Sequence, residues 1–124
     1  MPGIVEFIEE LKSADIKIAL GSASKNARSI LDKVQLTDSF DAIVDGNDVL
    51  KSKPDPEVFL HGAALLYLEP NEVMVIEDSA KGIEAALKGG FHTLGIGEYE
   101  NLSQAKWVVP SLKGITLESV LSHF

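Results

Sequence analysis

Ile4, Phe7, Ile8 and Leu11 recur at the three-and-four spacing of a helix, with Glu6, Glu9, Glu10 and Lys12 between them. That pattern predicts an amphipathic helix whose start is marked by Pro2-Gly3. The period then changes. Ile16-Lys17-Ile18-Ala19-Leu20 reads as a short strand stopped by Gly21. Ser22 or Ser24 can cap a following helix, with Ala27, Ile30, Leu31 and Val34 as its buried stripe. Ala42-Ile43-Val44 predicts a second strand, closed by the turn signal Asp45-Gly46. After a polar loop, Asp55 caps a third helix with Pro56 in its first position, and Val58, Phe59, Ala63 and Leu66 form its apolar face. Val73-Met74-Val75-Ile76 is a continuous apolar run, as in a parallel strand covered on both faces. Ser79 to Lys88 predicts a small-residue helix ended by Gly89-Gly90. Thr93-Leu94-Gly95-Ile96 and Trp107-Val108-Val109 predict two more strands, and Ile115 to Leu121 a closing helix.

Strand and helix therefore alternate along the chain. That order predicts parallel strands joined by crossover helices, an open α/β sheet with helices on its faces. Ligands of such sheets bind beyond the carboxyl ends of the strands. Gly21-Ser22, Asp45 and Glu77-Asp78 all fall at those ends, and they are expected to converge on one edge.

Composition narrows the function. At 124 residues with 45% apolar content, the chain is long enough for one domain, residues 1–124, with a real core. Eleven basic against nineteen acidic residues give a net charge of −8, which would be repelled by a nucleic-acid backbone. The absence of cysteine excludes disulfides, thiolate metal sites and thiol nucleophiles. There is no basic-then-apolar leader around Phe7 and Ile8, and no apolar run approaches the roughly 20 residues of a membrane span. The expected compartment is the cytoplasm.

Three segments carry candidate chemistry. Glu77 and Asp78 are adjacent carboxylates at the end of a strand. Two carboxylates crowded together repel unless one is protonated or a cation joins them, and magnesium suits such a pair. Ser22-Ala23-Ser24-Lys25-Asn26 stands at a helix start, where backbone N–H groups and the helix dipole favour an anion. Lys53, in Ser52-Lys53-Pro54-Asp55-Pro56, is kept in extended backbone by the proline that follows, and its ammonium can pair with a phosphate and a carboxylate together. Each segment also fits a plain role: Asp78 as a helix cap with Glu77 facing solvent, the serines as a cap, and Lys53 as a solvated loop lysine. His61, His92 and His123 lack metal-ligand spacing and read as structural or exposed.

Taken in order, these segments resemble the haloacid dehalogenase superfamily, and within it the β-phosphoglucomutase-like branch and its phosphatase relatives. The likeness rests on Ala19-Leu20-Gly21-Ser22-Ala23-Ser24-Lys25-Asn26, Phe40-Asp41-Ala42-Ile43-Val44, Ser52-Lys53-Pro54-Asp55-Pro56 and Ile76-Glu77-Asp78-Ser79 with Gly82-Ile83-Glu84-Ala85. It implies a three-layer Rossmann-like core and magnesium-dependent phosphoryl transfer on a phosphosugar, β-glucose 1-phosphate to glucose 6-phosphate. By the same resemblance, Ser22 and the Ala23 amide would bind the transferred phosphoryl group, and Lys53 would neutralise it. Asp78 would ligate magnesium with support from Glu77, and Ser24, Lys25 and Asn26 would grip the second phosphate.

The family opens with an Asp-x-Asp strand, whose first Asp is the nucleophile, followed by a helical cap. This chain carries neither and reads as the C-terminal part of the core, inactive alone. The absent strand would lie between residues 16–20 and 73–77. The expectation is that those two strands close on each other, or that a strand from another chain fills the slot by self-association or by pairing with an N-terminal half. Three other readings stand beside the mutase: a phosphosugar phosphatase, a non-catalytic phosphate-binding or pairing module, and a phosphate-receiver domain. The last needs an acidic pair where this chain has Gly21-Ser22.

Overall fold

The computed structural model describes residues 3–22 and 37–124. The helix expected around residues 27–34 lies outside the described residues. The first helix, α1 (Ile4–Ser13), follows the predicted pattern: Phe7 and Ile8 are buried, and Ile4 and Leu11 pack beside Phe7. β1 (Ala19–Gly21) begins later than its apolar run suggests. Ile18 just before it is tied by a side chain, its N–H donating to the Asp41 carboxylate at 2.7 Å while Asp41 N–H donates back to Ile18 O at 2.7 Å. β1 pairs in parallel with β2 (Ala42–Val44), in the register Ala19 to Ala42 and Gly21 to Val44.

The helix α2 (Glu57–Leu65) starts one residue beyond the predicted point, with Pro56 as its cap residue and the Asp55 carboxylate accepting the Glu57 N–H. β3 (Met74–Glu77), β4 (His92–Ile96) and β5 (Trp107–Val109) then form a parallel sheet in that order. Between them, α3 (Ala80–Gly89) is capped at its start by Ser79 and at its end by Gly90, which adopts φ 86°, a left-handed conformation that glycine reaches without strain. A single helical turn, α4 (Tyr99–Leu102), was not apparent from periodicity. The last helix, α5 (Leu117–His123), is opened by Thr116 and Ser119 bonding each other's backbone.

Alternation along β3 builds the layers. Met74 and Ile76 pack with Phe7, Leu94, Ile96, Val109 and Val120, beneath α1 and α5. Val75, on the opposite side, packs with Ala63, Ala86 and Phe91, beneath α2 and α3. Helices thus cover both faces, as the continuous apolar run required. Among the described residues no helix is long and apolar enough to cross a membrane.

Of the two outcomes expected for the strands flanking the predicted slot, closure on each other is not found: among the described residues the hydrogen-bonded strands fall into two separate sheets, β1-β2 and β3-β4-β5. α2 bridges them. A Cβ on its Gly62 would meet Ala19 at 3.8 Å and Val44 at 4.0 Å, while Ala63 one residue on joins the core under β3. Helix packing, rather than a continuous ladder, holds the two halves together.

Candidate active site

The loop that leaves β2 and the end of β3 meet through one ion pair. Lys53 Nζ lies 2.8 Å from Glu77 Oε2, although 24 residues separate the two. The pair is sheltered, with side-chain exposures of 18% for Lys53 and 10% for Glu77. Beneath the ammonium lies the Phe59 ring, its centroid 5.1 Å from Nζ, and Phe59 rests edge-on against Phe91 at 6.1 Å between centroids. The aromatic face attracts the cation and keeps water from one side of it.

The other oxygen of Glu77 serves the turn into α3. Oε1 accepts the N–H of Asp78 at 3.1 Å, the N–H of Ser79 at 3.3 Å and the Ser79 hydroxyl at 3.1 Å. Ser79 Oγ in turn accepts the Gly82 N–H at 3.1 Å, capping the helix. The plain reading of this segment therefore fails at both residues. Ser79, not Asp78, is the cap, and Glu77 faces Lys53 rather than water, leaving Asp78 exposed.

Burial works against the charged form of Glu77. The Lys53 ammonium, by hydrogen bond and by charge, and the side chain and N–H of neighbouring Asp78 outweigh it and hold the carboxyl below its ordinary value. A group whose pKa is lower folded than unfolded adds stability that is fully present above the unfolded value, about 4.3, and is lost as pH falls through the lower folded value. Urea unfolding measured across the acid range should show this loss in the native chain and not the same component in E77Q. An E77Q curve parallel to that of the native chain below about pH 4.3 would remove the assignment.

Ser22 stands just past β1, and its N–H donates to Val44 O at 2.9 Å, extending the ladder to β2. Any anion contact from Ser22 is therefore a side-chain contact. Ala23, Ser24, Lys25 and Asn26, expected to bind phosphate, lie outside the described residues. Asp45, at the end of β2, is buried and turns the chain: its carboxylate accepts the Asn47 N–H at 2.9 Å, and its own N–H donates to Asp48 at 2.9 Å. The structure thus brings Lys53 and Glu77 together with Asp78 beside them, and sets Ser22 at the carboxyl end of β1.

Gly82 is a site residue whose role the sequence does not disclose. A Cβ built there would overlap Cγ, Cδ and Oε2 of Glu77, so the carboxylate occupies the space a side chain would fill. An isolated glycine inside a helical pattern was the available signal.

A sequence profile of the haloacid dehalogenase-like hydrolase family matches residues 1–96. The chain belongs to that family. The β-phosphoglucomutase of Bacillus subtilis is 40% identical over 118 residues, covering 95% of this chain and 52% of the relative. A phosphorylated carbohydrates phosphatase of Thermotoga maritima is 36% identical over 107 residues, covering 85% and 49%. A crystal structure of β-phosphoglucomutase from Clostridium difficile superposes with a TM-score of 0.95 at 38% identity, over 99% of this chain and 55% of that one. The chain spans about half the length of the curated relatives it matches.

In this member of the family, the donor set fits a magnesium ion only in part. Magnesium takes oxygen ligands, often one or two carboxylates completed by water and phosphate oxygens. Asp78 is placed to be one such carboxylate, whereas Glu77 is engaged through both oxygens. Among the described residues, no three or more His, Asp or Glu side chains gather as a metal cluster. An ion at Asp78 would draw its remaining oxygens from phosphate, water or another segment.

Proposed function

We propose that this chain is the phosphate- and magnesium-binding part of a phosphoryl-transfer site for phosphosugars, of the kind that interconverts β-glucose 1-phosphate and glucose 6-phosphate. The observation that carries this reading is the sheltered Lys53–Glu77 pair, 2.8 Å apart, which joins the loop after β2 to the end of β3. An ammonium held by a carboxylate on one side and an aromatic face on another presents fixed positive charge to an anion, with no reorganisation when charge shifts in the transition state. The likeness to a β-phosphoglucomutase and to a phosphatase of phosphorylated carbohydrates supports a phosphosugar substrate.

In this reading Lys53 neutralises the transferred phosphoryl group. Ser22 and the Ala23 amide cradle its oxygens, and Ser24, Lys25 and Asn26 hold the second phosphate. Asp78 would hold magnesium with Glu77 supporting it, and the ion would shield the phosphoryl oxygens from an attacking carboxylate. In this reading that carboxylate would come from a further strand set between β1 and β3, a placement supported by their lying in separate sheets among the described residues.

The test is complementation. The chain is mixed with a second polypeptide carrying an Asp-x-Asp strand and a helical cap, with magnesium and β-glucose 1-phosphate, and followed by phosphorus NMR. Glucose 6-phosphate is the expected product, with no turnover by either half alone. Inorganic phosphate instead would favour the phosphatase, a reading the Thermotoga maritima relative keeps open. A stable complex without turnover would overturn the catalytic reading in favour of a binding module. An aspartyl phosphate formed on this chain alone would also contradict it.

A further inference from the structure

The geometry points to Glu57 as the residue that aims Lys53, by closing the loop between β2 and α2 into a rigid ring. Its carboxylate accepts two successive loop N–H groups, Leu50 at 2.6 Å on Oε1 and Lys51 at 3.2 Å on Oε2. Hydrogen bonds to a charged acceptor are the strong ones, and a two-oxygen grip fixes direction as well as distance. The rest of the ring is short. Asp55 N–H donates to Ser52 O at 3.0 Å, and the Asp55 carboxylate accepts the Glu57 N–H at 3.0 Å. Lys53 sits inside this ring, two residues beyond the clamped Lys51.

Burial does little of this work. Leu50 is 98% exposed, and Lys51 and Ser52 are exposed beside it. The stretch leading into Lys53 is therefore held by its backbone bonds, and Glu57 accepts two of them. Glu57 itself is anchored, because the next residue of α2, Val58, is buried in the core. An acidic residue in a first helical turn ordinarily reads as a partner of the helix dipole. That role would affect the stability of α2 and leave Lys53 where it is, which separates the two readings experimentally. The proposal rests on the functional reading of Lys53 above. Glu57 touches no reacting group and acts as a positioning residue.

The experiment is amine acetylation of the whole chain under limiting reagent, with the rate at each lysine read by mass spectrometry. In E57A, Lys53 should acetylate several-fold faster, while the exposed Lys81 and Lys113 keep their rates. E57Q, which retains one acceptor oxygen, should fall between, and it carries the test if E57A does not fold. E77A supplies the reference rate for a lysine released from its pair. An unchanged Lys53 rate in both Glu57 variants overturns the proposal, as does a uniform acceleration of all three lysines, which would mean general loosening. If E77A speeds Lys53 and the Glu57 variants do not, the positioning role alone falls. If E77A also leaves Lys53 slow, the ion pair beneath the functional reading has failed.

Discussion

Replacing Lys53 with methionine in the complemented protein should cut the turnover rate about 100- to 1,000-fold, the range measured when a single preorganised charge-stabilising donor is removed. The expectation follows from the placement of the ammonium. Glu77 Oε2 holds Nζ at 2.8 Å and the Phe59 ring lies below it, so the charge is fixed before any phosphate arrives. Methionine keeps much of the stem and its packing on Phe59 while removing the charge. The loss should fall mainly on kcat, because the interaction grows as charge develops on the transferring group. K53R should recover little, since a planar guanidinium is a different shape from a compact ammonium in a site this enclosed. Steady-state rates with the sugar phosphate decide it, and K53M turning over as fast as the native chain would remove Lys53 from the machinery.

The second large effect is on stability and has an internal control. G82A should destabilise the chain by about 2–3 kcal/mol, as overpacking a well-filled site does. The added methyl would overlap Glu77 along Cγ, Cδ and Oε2. The side chain cannot retreat cheaply, because Lys53 holds one oxygen and the Asp78 and Ser79 donors hold the other. If instead the first turn of α3 moves, the Ser79 cap on Gly82 is lost.

G62A places the same methyl inside α2, where it would meet Ala19 and Val44 at ordinary contact distance. Glycine in a helix interior costs about 1 kcal/mol against alanine, so G62A should be neutral or stabilising. Urea unfolding of the two variants side by side checks this. If G82A proves as stable as G62A, the crowding around Glu77 is not what the structure implies.

Much of the fold was readable along the chain because its helices and strands declare themselves by local period. Phe7 and Ile8 face the core because their spacing makes one stripe. Val75 and Ile76 face opposite layers because strand neighbours alternate. The Glu77 and Asp78 candidates were legible for a related reason, since charged residues at strand ends stand where an α/β sheet binds ligands, and Lys53 was marked by the proline that follows it in its loop. Asp78 as a cap was the plain alternative to its metal-binding reading, and β1 closing on β3 was one of two outcomes open for the slot; nothing local could decide either. Ser79 takes the capping role because its hydroxyl reaches the Gly82 N–H. β1 and β3 stay in separate sheets with α2 across them.

Order, type and approximate limits of these elements are therefore properties of the chain read in one dimension, since each depends on neighbours a few residues apart, while the acidic balance and the family likeness follow from the residues present and their order along it. Which carboxylate turns inward was decided only by folding. Glu77 meets a lysine 24 residues away, and the room for it is left by a glycine on the next helix. Glu57 likewise reads locally as an ordinary first-turn acid, and becomes a clamp only once the loop bends back within hydrogen-bonding distance. Partners of that kind are set by packing across elements, to which the spacing of residues along a single strand or helix is blind.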